Sequence, residues 1–418
     1  MKSTRNRLRI SVAGLMLLLA PHAAPADVVT DWNAIMQSTV FVPPTSPFSQ
    51  TRGAAITQLA VFEAVNAIIG DYEPYLGVVA APAGASPEAA AAAAAHGVLS
   101  VLYPASAGAL DVALADSLSA IPDGASKDDG VAVGIAAAEA MVALRSADGS
   151  STAGSFPYTP GSNPGDWRPT PAGFAPAAMP GWGLVDTFGI DDGAQFRAAP
   201  PPLLHTGKYA RDWEEVRVVG SAGSTSRPID RANVARVYAV LTFVNLYHPI
   251  ARELSVLHGK TLSENARIFA LLAMAGADGL ISSMEGKFYY DLWRPVTAIQ
   301  MGNLDGNAKT WSEPTWATFI ATPPYPSYPS NHASGSGASI AVLEDAFGKR
   351  GHSFSVSTPS VPDVVLNYAT FEDIGVDIDD ARVFGGIHFR FDQVAGRKQG
   401  TQVGHHILQR ELRPVHGK

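Results

Sequence analysis

The sequence predicts an all-α protein in which helical bundles are joined by one long irregular region. Apolar residues recur at helical spacing in segment after segment, as across Arg52 to Ile69 (RGAAITQLAVFEAVNAII). No alternation of strand and helix competes; the short run Ser353 to Ser357 (SFSVS) has strand character and would pair only locally. Between about Ala147 and Leu204 the composition turns to Gly, Pro, Ser and aromatic residues. A stretch of that length without regular structure is either functional or a linker.

Residues 1–26 read as an export signal. Lys2, Arg5, Arg7 and Arg9 form a basic start, Ile10 to Ala20 is apolar but short for a membrane span, and Ala24-Pro25-Ala26 suits cleavage before Asp27. This implies an exported protein, periplasmic or secreted. No later stretch reads as a membrane span. Losing those four cations would take the formal charge from −8 to −12, which argues against nucleic acid or an anionic membrane as partner. No cysteine is present, so the fold rests on core packing without disulfides or thiolate metal sites.

In chain order, Ser86-Pro87-Glu88 opens an alanine-rich helix to Tyr103 with a cap, a first-turn proline and an acidic residue. Ala105 to Ile121 and Ser126 to Arg145 continue in the same style. Trp167, Trp182 and the Pro200–Pro202 run favour an irregular region folded over the second half, because aromatic residues need burial. Helices resume from Thr206, at Asp230 to Tyr247, Leu262 to Met284, Phe288 to Ile299, Ser334 to Phe347 and Val394 to Leu412. The expected organisation is a signal over 1–26, an N-terminal helical region with the long loop over 27–205, and a C-terminal bundle over 206–418.

Three segments carry chemistry. In Tyr328 to Gly337 (YPSNHASGSG), Ser330 stands at the N-cap of a helix, whose unpaired N–H groups and dipole favour an anion, beside the imidazole of His332. In KFYYDLWRP, Lys287 and Arg294 are seven residues apart; on one helix they would share a face about 10 Å apart along the axis. Asp291 is the alternative partner of Lys287 in an i,i+4 surface salt bridge. In DARVFGGIHFRFD, Gly385-Gly386 permits a turn that brings Arg382 and His388 to one pocket. Asp392, four residues after His388, can hold one imidazole nitrogen and leave the other free.

The pattern K-x6-R-P, P-S-x-H and R-x5-H-x3-D, in this order and spacing, resembles the signature of the type-2 phosphatidic acid phosphatase superfamily. The longer strings PPYPSYPSNHA, KFYYDLWRP and GGIHFRFD resemble its vanadium-dependent haloperoxidase branch. The resemblance implies the helical fold of vanadium haloperoxidases and acid phosphatases. It also implies a vanadate cofactor, in a site that phosphate could equally occupy, with Lys287, Arg294 and Arg382 binding the oxyanion. Ser330 and the Asn331 N–H would add hydrogen bonds, His332 would act as acid/base, and Asp392 would steady His388. His388 would be the axial ligand of vanadium, with Lys287 and the other cations polarising hydrogen peroxide for attack by halide, to give a hypohalous acid equivalent. The alternative is an exported acid phosphatase in which His388 attacks phosphorus and forms a phosphohistidine. Hydrogen peroxide, halide and an organic acceptor are the implied partners, and a homo-oligomer is left open.

The chain departs from that pattern in three places: Asn331 replaces the glycine after the serine, Ala381 the serine before the arginine, and Met284 a tryptophan at the pocket wall. Tyr325 stands where the family has its halide-side residue. Three other features read as structural. Glu372, Asp373, Asp377, Asp379 and Asp380 lack EF-hand order and read as a solvated loop. His405, His406 and His416 fit no zinc spacing and read as surface residues. Gly335-Ser336-Gly337 lacks the lysine and preceding strand of a phosphate loop.

Overall fold

The computed structural model describes residues 27–43 and 45–415, so the export signal over 1–26 and His416 lie outside the described residues. Helix α1, Val28–Val40, is capped by Asp27, which accepts from the Thr30 N–H at 2.9 Å. The sequence reading passes over this helix, although Val29, Trp32, Met36 and Val40 line its buried face. Helix α2, Pro47–Ile69, starts a turn earlier than expected because Ser46 caps it and Pro47 occupies its first turn. It ends at Gly70, whose φ of 73° suits only glycine at low cost. The alanine-rich run is helix α3, Pro87–Leu102, capped by Ser86. Its small side chains let α5, Ala125–Leu144, approach closely beyond α4, Ala107–Ser119.

The irregular region lies over the second half of the chain, as the buried Trp167 and Trp182 require. The Phe188, Gly189 and Ile190 N–H groups donate to the buried Asp278 carboxylate at 2.8, 2.7 and 3.2 Å. Further along, the Trp167 N–H donates to the Asp291 carbonyl at 2.7 Å and the Trp293 N–H to the Gly165 carbonyl at 2.8 Å.

The second half begins with α6, Gly207–Val219, and α7, Ile229–Tyr238. The single helix expected over Asp230 to Tyr247 breaks at 239–242. Asn245 there accepts from the Thr242 N–H at 2.6 Å and starts α8, Phe243–Leu257. Helix α9 runs unbroken over Leu262–Tyr290 from a Thr261/Glu264 capping box. Length and composition alone would let α9 cross a membrane, contrary to the sequence reading, but 94% of its apolar window is buried within the protein. The expected helix over Phe288 to Ile299 is divided: α9 ends at Asp291 in the left-handed region, and α10, Pro295–Gln300, starts anew. Pro295 enforces this, since the residue before a proline is pushed out of the helical region.

Helix α11, Asn331–Phe347, is capped by Ser330 as expected. The run at 353–357 pairs locally: β1, Phe354–Ser357, is antiparallel to β2, Val365–Tyr368, with Phe354 opposite Tyr368. The acidic segment is a helix and not a loop, α12, Phe371–Phe384, opened by a Thr370/Asp373 capping box. Its carboxylates have partners: Arg231 meets Asp377 at 2.7 Å, Arg390 meets Asp380 at 2.8 Å, and Arg397 meets Glu372 at 2.6 Å and Asp379 at 2.7 Å. Helix α13, Arg390–Arg410, begins earlier than expected because Asp392 caps it from within its first turn. On α13, His405 is exposed, whereas His406 is half-buried against Phe196, with ring centroids 5.3 Å apart.

Helices α9, α11 and α13 pack on one another. The contact between α11 and α13 is close because Gly396, Gly400 and Gly404 face Ser330, Ser334 and Ala338 at matching four-residue steps. A Cβ on Gly400 would lie 1.7 Å from the Ser334 carbonyl oxygen. Backbone on both sides leaves nothing flexible to yield, so Gly400→Ala is expected to cost about 3 kcal/mol or more by overpacking, read as a fall in the urea midpoint. A midpoint like that of the wild type would refute the close seam.

Candidate oxyanion site

Where α9 ends, the chain reverses and sends Lys287 and Arg294 into one buried space. They do not share a helix face, as the seven-residue spacing suggested; the bend at Asp291 brings them together. Asp291 makes no pair with Lys287. Its carboxylate accepts from the Tyr158 hydroxyl at 2.6 Å, which ties the irregular region to the bend. Lys287 and Arg294 are both fully buried, and Arg382 is 3% exposed.

The segment before α11 wraps the lysine in carbonyls. Lys287 Nζ donates to Pro326, Ser327 and Pro329 at 3.0, 2.8 and 2.6 Å. Burial and then the Arg294 charge push this group well below the usual lysine range, while Asp392 pulls the other way. Three carbonyl acceptors match the three protons of an ammonium, so the charged form is the one this geometry serves. Arg294 donates from Nε to the Tyr325 carbonyl at 2.8 Å and from Nη1 to the Ile387 carbonyl at 2.9 Å. Arg382 Nη1 donates to the Tyr238 carbonyl at 2.8 Å. Arg294 Nη2 and Arg382 Nε are buried donors without an acceptor among the described residues.

His388 enters through the turn at Gly385-Gly386, where Gly386 has φ of 83°. Its Nδ1 lies 2.8 Å from Asp392 Oδ2, and its Nε2 lies 2.9 Å from Arg294 Nη1. A guanidinium can only donate. The imidazole therefore carries its proton on Nδ1 and presents the Nε2 lone pair to the cations. Burial, then Arg294, Lys287 and Arg382, hold His388 well below the usual histidine range and neutral. His332, on the first turn of α11, is depressed by burial and then by Arg382, with Leu241 backbone hydrogen bonding opposing. The Phe243 ring, at the start of α8, lies 5.9 Å from it.

Ser327 belongs to this cluster, and the motifs do not mark it. Its hydroxyl donates to Asp392 Oδ2 at 2.6 Å, joining His388 Nδ1 and the Phe389 N–H on the same oxygen. Burial lifts Asp392 to about 6, and the Ser327 bond is the largest opposing effect. Only its place two residues before the Pro329-Ser330 pair hinted at a role.

Residues 267–417 match the family model described as the VCPO second helical-bundle domain. Over 208 residues the chain is 24% identical to the vanadium chloroperoxidase of Curvularia inaequalis, a match covering 36% of this chain and 33% of that relative. The whole fold is similar to that of a bacterial vanadium-dependent iodoperoxidase. That structure has a TM-score of 0.74 and 24% identity, over 92% of this chain and 96% of the other. An apo-type bacterial vanadium-dependent chloroperoxidase is similar at a TM-score of 0.70 and 17% identity, over 88% and 94% of the two chains. The fold is the helical fold of the vanadium haloperoxidases.

Within this bundle, two of the departures meet each other. Asn331 Nδ2 donates to the Met284 sulfur at 3.3 Å, so the amide occupies wall space beside the thioether. Asn331 is the first residue of α11 and has no positive φ, so a glycine is not required there. Ala381 is buried. The Tyr325 ring centroid lies 5.4 Å from Lys287 Nζ and 5.1 Å from Arg294 Cζ, a cation–π roof over both. Removing the Ser327 hydroxyl takes a donor from a buried carboxylate, so Ser327→Ala is expected to cost about 1.5–3 kcal/mol by urea unfolding, with Ser327→Thr closer to wild type. Equal midpoints for Ser327→Ala and wild type would contradict this support.

Proposed function

We propose that this protein is a vanadium-dependent haloperoxidase that oxidises halide with hydrogen peroxide. The observation that carries the reading is the burial of Lys287, Arg294 and Arg382 around the Nε2 lone pair of His388, with Asp392 as the one carboxylate in the cluster among the described residues. Three buried cations, two of them with orphaned donors, suit a tetrahedral oxyanion of multiple charge, and a neutral imidazole nitrogen suits a bond to its central atom. The residues therefore fit vanadate. When bound, vanadate supplies a Lewis-acidic centre that activates hydrogen peroxide toward halide.

In this reading, Arg294 and Arg382 would give their unpaired N–H groups to the anion's oxygens, and Lys287 would add its charge. Ser330 and the Asn331 N–H at the start of α11 would add hydrogen bonds. Asp392, held by Ser327 and the Phe389 N–H, keeps the His388 proton on Nδ1 and Nε2 free as the ligand atom. His332, neutral beside three cations, takes up and returns the proton exchanged when hydrogen peroxide enters. The vanadium-haloperoxidase fold and the matched domain support this reading. The export expected from residues 1–26 is part of the same proposal.

The purified protein given vanadate, hydrogen peroxide and iodide or bromide is expected to halogenate a dye, with phosphate as competitor. Hydrolysis of a phosphomonoester that vanadate blocks, without halogenation, would replace this reading with the phosphatase one. His388→Ala is expected to abolish vanadate binding in equilibrium dialysis. His332→Ala should retain binding and lose about 10²- to 10⁴-fold in turnover, the usual contribution of a positioned acid/base. Vanadate affinity in His388→Ala equal to that of the wild type would overturn the ligand assignment.

A further inference from the structure

A second cleft, of about 620 Å³, opens between the 198–202 segment, α6 and the start of α13. That volume lies within the usual range of small-molecule sites. Its apolar wall is made by Pro200, Pro202, Tyr328 and Phe391, with the two aromatic rings 6.1 Å apart.

The charges around it are uneven. Arg197 is paired with Glu285, and Arg390 with Glu215 and Asp380. Lys208, Arg211 and Lys398 are exposed on the rim, and none of them forms an ion pair among the described residues. The nearby Asp212 offsets one charge and is held by the Phe391 N–H at 2.9 Å. A cationic mouth on a chain of formal charge −8 favours an anion locally.

A buried side chain adds a second requirement. Gln399 is 1% exposed and lines the cleft. Its Nε2 donates to Ser282 Oγ at 2.9 Å, whereas its Oε1 is buried without a donor among the described residues. An amide oxygen accepts only, so the missing partner is an O–H or N–H group.

We propose that this cleft binds a phenolic carboxylate, its ring against Tyr328 and Phe391, its carboxylate at Lys208, Arg211 and Lys398, and its hydroxyl donating to Gln399 Oε1. Tyr328 and Phe391 adjoin Pro329 and Asp392 in the chain, so the ligand sits behind the oxyanion site. Binding is independent of the proposed function; use of the ligand as organic acceptor rests on it. In that use the ring's electron pair forms a carbon–halogen bond as the oxygen–halogen bond of hypohalous acid breaks. The ring proton and the released hydroxide leave as water.

Titration of the full chain with 4-hydroxybenzoate, followed calorimetrically, tests the site. Saturable binding is expected, about tenfold weaker for 4-hydroxybenzyl alcohol, which lacks the charge, and several-fold weaker for benzoate, which lacks the hydroxyl. The combined Lys208→Gln, Arg211→Gln, Lys398→Gln variant should weaken binding about tenfold; its exposed positions leave the fold intact. His388→Ala should bind 4-hydroxybenzoate as the wild type does, because the cleft is separate from the oxyanion cage. No saturable binding below about 10 mM, or equal affinity in the triple variant, would overturn the site. Halogenation of a generic dye, together with wild-type use of 4-hydroxybenzoate by the triple variant, would overturn the acceptor role alone. Retained binding without any halogenation would overturn the proposed function and leave the binding site standing.

Discussion

Three cations buried beside one carboxylate are the constraint on which the rest of this structure depends. Taking each charge out of water costs several kcal/mol, and like charges in a poorly screened interior repel strongly. Burial and mutual repulsion depress Lys287; burial brings Arg294 down to about 10, and burial with the Arg294 charge does the same to Arg382. The fold offsets part of this with carbonyl dipoles from Tyr325, Pro326, Ser327, Pro329, Ile387 and Tyr238. What remains is a positive potential with unpaired donors on Arg294 and Arg382, which an oxyanion would relieve.

Holding carbonyls at those positions requires irregular backbone in a dry interior, and the surroundings are built to secure it. The α11–α13 seam needs glycine on one side because backbone meets backbone there. That closeness sets Ser330 against Asp392, whose carbonyl accepts from the Ser330 N–H at 3.1 Å. From the opposite side, the irregular region anchors on Asp278 and Asp291 of α9 and its C-cap. The long loop thus acts as a clamp on the bend that separates Lys287 from Arg294.

The histidines show how one electrostatic setting serves two roles. Both are neutral beside the cations, but Asp392 fixes the proton of His388 on Nδ1, while His332 has no such carboxylate among its named neighbours. One thereby presents a fixed lone pair; under the proposed function the other would carry the exchangeable proton. Ser327 matters through the first of these, by holding the carboxylate that holds the ring.

The sequence by itself determined the helical class, most of the helix starts and the residues Lys287, Arg294, Arg382, His388 and Asp392 that the fold brings together. Caps such as Ser86, Thr206 and Ser330 act within one turn, and the spaced motifs identify chemistry by residue type. It misread what depends on distant partners. The acidic run at 372–380 resembles a solvated loop until Arg231, Arg390 and Arg397 arrive from other helices to pair with it. Lys287 and Arg294 look like neighbours on one helix, whereas Pro295 and the Asp291 cap, locked by Tyr158, bend the chain between them. Ser327 carries little signal beyond its place beside the Pro329-Ser330 pair, because its role exists only once Asp392 is folded against it. Only the tertiary structure decided these points, since burial, ion pairing and the Nε2 lone pair of His388 depend on side chains far apart in the chain.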